Sequence, residues 1–422
     1  MSQPLLPRRS VEEFRARNRG GVPPEILEEA AVIVEAVRSG GEEALREYAT
    51  RFEDCAPDAP LYLTRETLQG RLDELPEDER NRLERICERI RAFAQSQLGA
   101  LAPLDTPVPG GRAGHRIDPV EAAGCYAPGG RYPLPSSVLM TVVTARAAGV
   151  RSVWVASPRP APITLAAAAV AGADGVLVAG GAHAIAALAF GVGPIPPSDV
   201  VVGPGNLYVT AAKQLLAGEV RIDMLAGPSE LVVIADAAAN PAWVAADLLA
   251  QAEHDPDALP ILISLDPEFP SLVEREIKRR LDDLPTAPTA REALANGGVI
   301  VRETEEEACL ACDDIAPEHV QLSVSDPETW PERLHHYGAL FIGERAAEVF
   351  GDYGVGPNHV LPTGGTARAR GGLSVLDFLR VRTWIRADSD LDPDLIEDVA
   401  WFARQEGLEA HARAAEIRRS EA

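Results

Sequence analysis

Short apolar segments alternate with helical patterns through the middle of this chain, and glycine-rich turns separate them. A first series of predicted strands lies at 125–126, 152–156, 175–178 and 200–202, and a helical pattern follows each strand. A second series begins after residue 224, with strands predicted at 231–234, 261–265, 299–301, 320–324 and 339–342. This alternation is typical of parallel sheets covered by helices, so the sequence predicts two α/β lobes side by side.

The two ends of the chain have a different character. Residues 1–21 are polar and rich in arginine and proline, which predicts a short arm, and residues 24–94 have helical periodicity. Residues 95–123 are rich in proline and glycine and are predicted to cross into a new unit. Charged helices are expected at 395–403 and 408–418, in a separate tail.

Composition limits the class of protein. The 422 residues are 46% hydrophobic and 25% charged, as in a globular protein of two to four domains. A net charge of −24 argues against binding to nucleic acid or to anionic membranes. Polar residues and prolines interrupt the longest apolar stretch, at 163–195, so no membrane span is predicted. The five cysteines form no disulfide framework and the N-terminus lacks a secretory signal, so we expect a cytoplasmic protein.

Three polar groups could carry chemistry. Gln251 and His254 share one face of a predicted helix end and could ligate a divalent cation, although from these two residues alone a capped helix end is the simpler interpretation. Glu318 and His319 precede a predicted strand and offer two proton acceptors of different basicity. The glycine-rich segment 351–359 is predicted to form a loop near a ligand, with Asp352 pointing inward.

The glycine turns and the cysteines are less specific. The GPGN segment at 203–206 follows a strand and precedes a helix, so its backbone N–H groups could face an anion, but no GxGxxG fingerprint appears. Cys309 and Cys312 are predicted to lie on a buried helix face. A Cys125 thiolate could form a covalent adduct with an aldehyde.

Several motifs together resemble the histidinol dehydrogenase family over nearly the whole chain. Each motif is weak alone, but their order and spacing are specific: YAPGGRYPLPSSVLM (126–140), GGAHAIAALAFG (180–191), GPGN (203–206), DMLAGPSE (223–230), LLAQAEHDP (248–256), APEH (316–319), GDYGVGPNHVLPT (351–363) and EGLEAH (406–411). The resemblance implies two Rossmann-like parallel-sheet lobes with small helical N- and C-terminal domains, exchanged across a homodimer.

The resemblance also implies site residues. One Zn²⁺ per subunit is expected on Gln251, His254, Asp352 and His411, with His411 supplied by the partner subunit of the homodimer. Glu318 and His319 are the implied proton-transfer pair. The implied substrate contacts are Ser229, Gln251, His254, His319, Asp352, His359, Glu406 and His411. The implied NAD contacts are Tyr126, His183 and Asn206, although the family normally has glutamine at the position of His183.

The implied reaction is the oxidation of L-histidinol through L-histidinaldehyde to L-histidine, the last steps of histidine biosynthesis, with two NAD reduced in turn. His319 is expected to take the alcohol proton and Glu318 to activate water, while zinc orients the substrate. The expected domains are an arm at 1–21, a metal-binding lobe at 22–125 and 231–373, an NAD lobe at 126–230 and an exchanged tail at 374–422.

Two other interpretations stay open at this point. A protein of the same fold could oxidise another small amino- or sulfo-alcohol, and the histidine at position 183 leaves room for that. A metal-dependent hydrolase or a non-catalytic nucleotide-binding scaffold could share the architecture. Formation of NADH from histidinol would separate these classes from the dehydrogenase.

Overall fold

The strands form two parallel sheets and one antiparallel sheet. The computed structural model describes residues 4–18, 21–129, 133–388 and 391–419. Gly130, part of a predicted turn, lies outside these residues. The strands are β1 (Tyr62–Thr64), β2 (Leu104–Val108), β3 (Gly111–Pro119), β4 (Ala122–Tyr126), β5 (Ser152–Ala156), β6 (Gly175–Leu177), β7 (Val200–Val202), β8 (Arg221–Ile222), β9 (Glu230–Ala235), β10 (Leu259–Ser264), β11 (Gly298–Val301), β12 (His319–Ser323), β13 (Ala339–Ile342) and β14 (Leu379–Ala387).

Helices cover both parallel sheets. They are α1 (Val11–Asn18), α2 (Pro24–Arg51), α3 (Arg65–Asp73), α4 (Glu77–Gly99), α5 (Pro135–Ala147), α6 (Pro162–Ala171), α7 (Gly181–Phe190), α8 (Leu207–Leu216), α9 (Pro241–Ala252), α10 (Phe269–Leu281), α11 (Ala287–Asn296), α12 (Glu305–Ile315), α13 (Glu348–Asp352), α14 (Pro393–Gln405) and α15 (Glu409–Glu416). Between β12 and β13, the only helical turn in these described residues is a short 3₁₀ turn, Pro327–Thr329.

The first parallel sheet has the order β1-β6-β5-β4-β7-β8, with only β1 antiparallel to its neighbour. Its strands β4 to β7 are buried along their length, as expected for strands covered on both faces. The second sheet has the order β11-β10-β9-β12-β13 and is entirely parallel. The two predicted α/β lobes are therefore confirmed.

The predicted assignment of residues 22–125 to the metal-binding lobe is wrong in its strand pairing. Strands β1 and β4, which fall in this range, belong to the first sheet, together with the strands of 152–222. Helix α2 packs against α7 and α8 of that same lobe through a buried face that includes Ala30, Val34 and Val37. Periodicity identifies the apolar face of α2 but does not identify its partner, because every apolar helix face satisfies the same pattern.

The N-terminal arm packs onto the second lobe. The backbone of Arg8 pairs with Val299, and Leu6 and Phe14 are buried in the core around the second sheet. The prediction of a polar arm therefore missed two anchoring side chains, because isolated apolar residues in a polar segment carry no periodic signal.

A small antiparallel sheet was not predicted. It has the order β14-β3-β2, so residues of the predicted crossing segment pair with the start of the C-terminal tail. Strand β14 leaves Val381 and Ile385 exposed, Ile385 to 83%. Among the described helices, none combines the length and the hydropathy that crossing a membrane requires.

Candidate active site

A cavity of about 180 Å³ lies between the two parallel sheets, and both lobes contribute to its walls. Pro204 and Met224 come from the loops that follow β7 and β8, and Glu318 and His319 come from the start of β12. The segment after α13 closes the cavity with His359. Chemistry-bearing residues of the second lobe therefore meet at the amino ends of its strands, whereas open α/β sheets usually bind ligands at the carboxyl ends.

His319 has the geometry of a general base. Its Nδ1 lies 3.1 Å from the backbone carbonyl oxygen of Glu230, which can only accept a hydrogen bond, so Nδ1 carries the proton. The Nε2 atom then has a free lone pair, and it has no hydrogen-bond partner among the described residues. Burial lowers the pKa of His319 below its usual value. The imidazole is therefore neutral near pH 7 and is ready to accept a proton at Nε2.

Glu318 is held beside this base. Its Oε2 accepts hydrogen bonds from the Ser229 hydroxyl at 2.6 Å and from the Glu230 N–H at 3.0 Å. Burial raises the pKa of Glu318 to about 8, and burial together with the charge of Glu318 raises the pKa of Glu230 to about 8. A cation bound nearby favours the ionised carboxylate, the form that can act as a base.

His254 and Asp352 come together beside His319. His254 Nε2 lies 3.8 Å from Asp352 Oδ2, and the other carboxylate oxygen of Asp352 lies 3.8 Å from His319 Nε2. Gln251 is fully buried with an unpartnered Nε2, and its Oε1 lies 3.5 Å from the Ser229 hydroxyl. Imidazole nitrogen with carboxylate and amide oxygen suits zinc, so the residues present fit this metal.

Glu348 joins this cluster, and the sequence analysis missed it. Ligand atoms of His254, Glu348 and Asp352 lie within 4.8 Å of one another. Both carboxylate oxygens of Glu348 are buried without a hydrogen-bond partner, and burial raises its pKa well above the usual value. The i,i+4 spacing of Glu348 and Asp352 on the short helix α13 is a signal that could have identified the pair.

The glycine-rich loop is fixed to the opposite lobe. The Asn358 side chain donates to the Met140 carbonyl at 2.9 Å, across the seam on α5. The next residue, His359, lines the cavity, and burial lowers its pKa. Asp352 and His359 both lie in the cavity wall.

Three of the predicted metal and substrate contacts, Gln251, Glu406 and His411, are not in this wall. Glu406 ends α14 and His411 lies on α15, and both are exposed. Within the part of the chain that the structure describes, neither residue lines the cavity. Ser229, His254, Glu318, His319, Asp352 and His359 do line it, and Gln251 lies behind Ser229.

A second cavity, of about 630 Å³, lies at the carboxyl ends of the strands of the first sheet. All three predicted NAD contacts, Tyr126, His183 and Asn206, line it. His183 is buried, and its Nε2 lies 2.8 Å from a carboxylate oxygen of Asp54. Sequence reasoning missed Asp54, because the two residues are 129 positions apart.

The GPGN loop connects the two cavities. Pro204 lines the smaller cavity, and Asn206 lines the larger one. Gly203 has φ 115°, and a Cβ there would collide with the Tyr126 carbonyl oxygen, so only glycine fits. The buried Lys213 donates to the Gly203 carbonyl at 2.9 Å and pairs with Asp223, which accepts from the Gly203 N–H.

Cys125→Ser should leave the catalytic rate within about twofold of wild type. The Cys125 side chain is fully buried, lines neither cavity, and has its thiol pKa raised to about 12 by burial. A neutral thiol is a poor nucleophile, so no thiohemiacetal is expected. Steady-state kinetics of the variant provide the measurement, and loss of aldehyde oxidation alone would support the covalent route instead.

Comparisons with known proteins agree with the geometry. A family model described as "Histidinol dehydrogenase" matches residues 17–419. The histidinol dehydrogenase of Thermus thermophilus is 46% identical over 416 residues, covering 97% of this chain and 99% of the relative. The histidinol dehydrogenase of Nitrosomonas europaea is 42% identical over 409 residues, covering 94% of this chain and 93% of the relative. The crystal structure of histidinol dehydrogenase from Elizabethkingia anophelis superimposes with a TM-score of 0.92 at 30% identity and covers 99% of both chains.

Proposed function

Because this chain belongs to the histidinol dehydrogenase family, we propose that it oxidises L-histidinol through L-histidinaldehyde to L-histidine, with NAD as the oxidant and with bound zinc. These are the last steps of histidine biosynthesis. The observation that carries the proposal is the unpartnered Nε2 of His319, which lies beside Glu318 and the His254–Asp352 pair in one cavity.

His319 acts in the alcohol step. Its Nε2 takes the proton of the substrate hydroxyl while a hydride leaves the carbon that bears this hydroxyl and passes to the cofactor. The alcohol is thereby oxidised to the aldehyde. The Glu230 carbonyl stabilises the resulting imidazolium, because it accepts a hydrogen bond from Nδ1–H. NAD, when bound, supplies the hydride acceptor.

Glu318 acts in the aldehyde step. Its carboxylate takes a proton from water as the water oxygen adds to the carbonyl carbon. His319, protonated in the alcohol step, gives its proton to the carbonyl oxygen, so a neutral hydrate forms and the imidazole is again a base. The Ser229 hydroxyl and the Glu230 N–H hold one Glu318 oxygen in place during this transfer. His319 then takes a hydroxyl proton of the hydrate as the second hydride leaves, which yields the carboxylic acid.

We propose that Gln251, His254 and Asp352 hold the zinc ion. Zinc, when bound, supplies a Lewis-acidic template that orients an amine and imidazole ligand. The buried Nε2 of Gln251, which has no partner, shows that its amide is not committed to a structural hydrogen bond through that atom. His359 and Ser229 line the same wall and are the proposed substrate contacts.

We propose that His411 and Glu406 reach the site of the partner subunit in a homodimer. Support comes from the surface of the segment that carries them. Helix α14 exposes Trp401 and Phe402, each to 61%, and Ile417 beyond α15 is exposed to 81%. A large exposed apolar surface indicates a protein contact. The proposed partner for this surface is a second copy of this chain. In a single chain neither His411 nor Glu406 lines the cavity, so a second copy would have to supply them.

Two inactive variants should restore activity to one another if the tail is exchanged. In a heterodimer of His411→Ala and His319→Asn, one site has both native residues and the other has neither. Random pairing should therefore recover about a quarter of wild-type activity. Coexpression with two different tags, purification and turnover measurements test this expectation. If each chain completed its own site, every site would carry a defect and no activity would return.

Turnover tests the proposed reaction directly. Purified, zinc-loaded protein should form two NADH for each histidine produced from L-histidinol. A panel of other small amino-alcohols and sulfo-alcohols at the same concentration provides the comparison. Preference for another alcohol would replace the substrate, and absence of NADH with every alcohol would favour a scaffold or hydrolase.

We also propose a cytoplasmic location, because the five cysteines are free thiols.

A further inference from the structure

We propose that Arg51 and Arg159 form a cationic clamp that binds a phosphate of the dinucleotide, and this inference rests on the proposed NAD-linked function. Both arginines line the larger cavity. Arg51 is the last residue of α2, and Arg159 lies in the loop between β5 and α6. Neither arginine was identified from the sequence, because nothing in their spacing brings them together.

The usual phosphate site is already filled by the protein. In dinucleotide-binding folds the pyrophosphate contacts backbone N–H groups at a helix N-terminus. At the start of α7, however, the Gly180 N–H donates to the Asp54 carboxylate at 2.7 Å, and the Gly181 N–H donates to the Tyr126 hydroxyl at 3.2 Å. A phosphate placed there would meet a carboxylate instead of free donors.

The second helix N-terminus at the cavity is also occupied. At the start of α8, the Asn206 side chain accepts hydrogen bonds from the N–H groups of Tyr208 and Val209, at 3.1 Å each. The sequence-based expectation that this GPGN turn offers free N–H groups to an anion is therefore weakened. With these four N–H groups already bonded within the protein, basic side chains are the stronger candidates for holding a phosphate.

Within the described part of the cavity wall, the two arginines are the available side-chain cations. Among the described residues, neither Arg51 nor Arg159 has a carboxylate within ion-pair distance, although the chain carries a net charge of −24. The two carboxylates in the cavity wall already have partners. Asp54 accepts from Gly180 and contacts His183, and Glu29 accepts from the Tyr208 hydroxyl.

Backbone strain marks the same place. Arg159 has φ 44° and Glu53 has φ 59°, a region that non-glycine residues rarely adopt. The two strained residues belong to adjoining segments, because the Arg159 N–H donates to the Asp54 carbonyl at 3.2 Å. Such strain persists where the surrounding structure holds a residue for a function, and here it holds an arginine at the cavity wall.

The rest of the wall suits the remainder of a nucleotide. Tyr48, Phe52 and His183 have nearly parallel rings, with Phe52 and His183 centroids 5.6 Å apart at 29°. Arg159 Nη1 donates to the Glu53 carbonyl at 3.5 Å, and the Arg51 guanidinium lies 5.7 Å from the Phe52 ring centroid, so neither charge is neutralised by a carboxylate. An aromatic surface beside such arginines fits a ligand that combines a flat base with a phosphate. The geometry therefore assigns ring contacts to the aromatic residues and charge neutralisation to the arginines.

Binding of NADH, measured by fluorescence titration without histidinol, tests the clamp. Arg51→Ala and Arg159→Ala should each weaken NADH affinity about tenfold, and the double variant about a hundredfold. Lysine at either position should restore part of the loss. Arg151→Ala is the matched control, because it removes one charge from the same lobe at a side chain 84% exposed and outside the cavity. The NADH affinity of Arg151→Ala should equal that of the wild-type protein.

Ligand fragments identify the group that is bound. ADP should lose affinity in the double variant, whereas adenosine should bind all proteins alike. A loss of affinity for ADP but not for adenosine assigns the clamp to the diphosphate, the charged group that ADP shares with NADH. NADH affinity of a folded double variant within twofold of wild type would overturn the clamp. The proposed function fails separately, if wild-type protein binds NADH but does not oxidise histidinol.

Discussion

His319→Asn should lower the catalytic rate of both oxidation steps by about 10²–10⁴-fold, the usual contribution of a general base. Asparagine cannot accept a proton at neutral pH, whereas the buried, neutral imidazole presents a free Nε2 in the cavity. Turnover with histidinol measures the first step, and turnover with histidinaldehyde measures the second. Both rates should fall, because each hydride transfer requires loss of an O–H proton.

The matched control is His335→Asn. The His335 side chain is 66% exposed and pairs with Asp313 on the surface, so the same chemical change there should leave both rates unchanged. NADH affinity, zinc content and melting temperature of His319→Asn should stay close to wild type. Full activity in that variant would remove His319 from the proton-transfer role and leave it as a buried packing residue.

Glu318→Gln should separate the two steps. The rate of histidinaldehyde oxidation should fall by about 10²-fold or more, because an amide cannot take a proton from water. The rate of histidinol oxidation to the aldehyde should change only a few-fold, since His319 serves that step. Glutamine keeps the shape of the side chain and an oxygen that can accept from Ser229 and Glu230.

The variant contains its own control, because both steps are measured on one protein sample. Single-turnover experiments with each substrate, followed by NADH formation, avoid interference from product release. Accumulated aldehyde should be detectable by trapping with an amine reagent. Equal losses in the two steps would contradict water activation by Glu318 and would assign the residue to zinc or substrate binding instead.

Local rules identified much of the site before any tertiary structure was considered. The i,i+3 spacing predicts that Gln251 and His254 lie close together at a helix end. In the structure Gln251 is in the last turn of α9, His254 lies two residues beyond the helix, and both are beside the same cavity. The Glu318–His319 pair begins β12, as its position before an apolar run indicates. These features depend on residues within one turn or one strand end, where backbone geometry is regular.

Other parts of the site depend on contacts that no local pattern encodes. The tautomer of His319 is set by the Glu230 carbonyl, 89 positions away, and the orientation of His183 is set by Asp54, 129 positions away. Glu348 joins the metal cluster only because α13 packs near α9. Such contacts depend on how the elements pack, and many packings satisfy the same hydrophobic periodicity.

The sequence by itself determined the alternation of strands and helices, the presence of two parallel sheets and the family, because these follow from short-range periodicity and from ordered motifs. Only the tertiary structure decided that α2 joins the first lobe and that β14 pairs with β3. It also decided that Asp54 accepts from the N-terminus of α7 and that two arginines without a carboxylate partner line the same cavity. The physical reason is that burial and charge pairing are properties of the packed chain, whereas periodicity is a property of each segment.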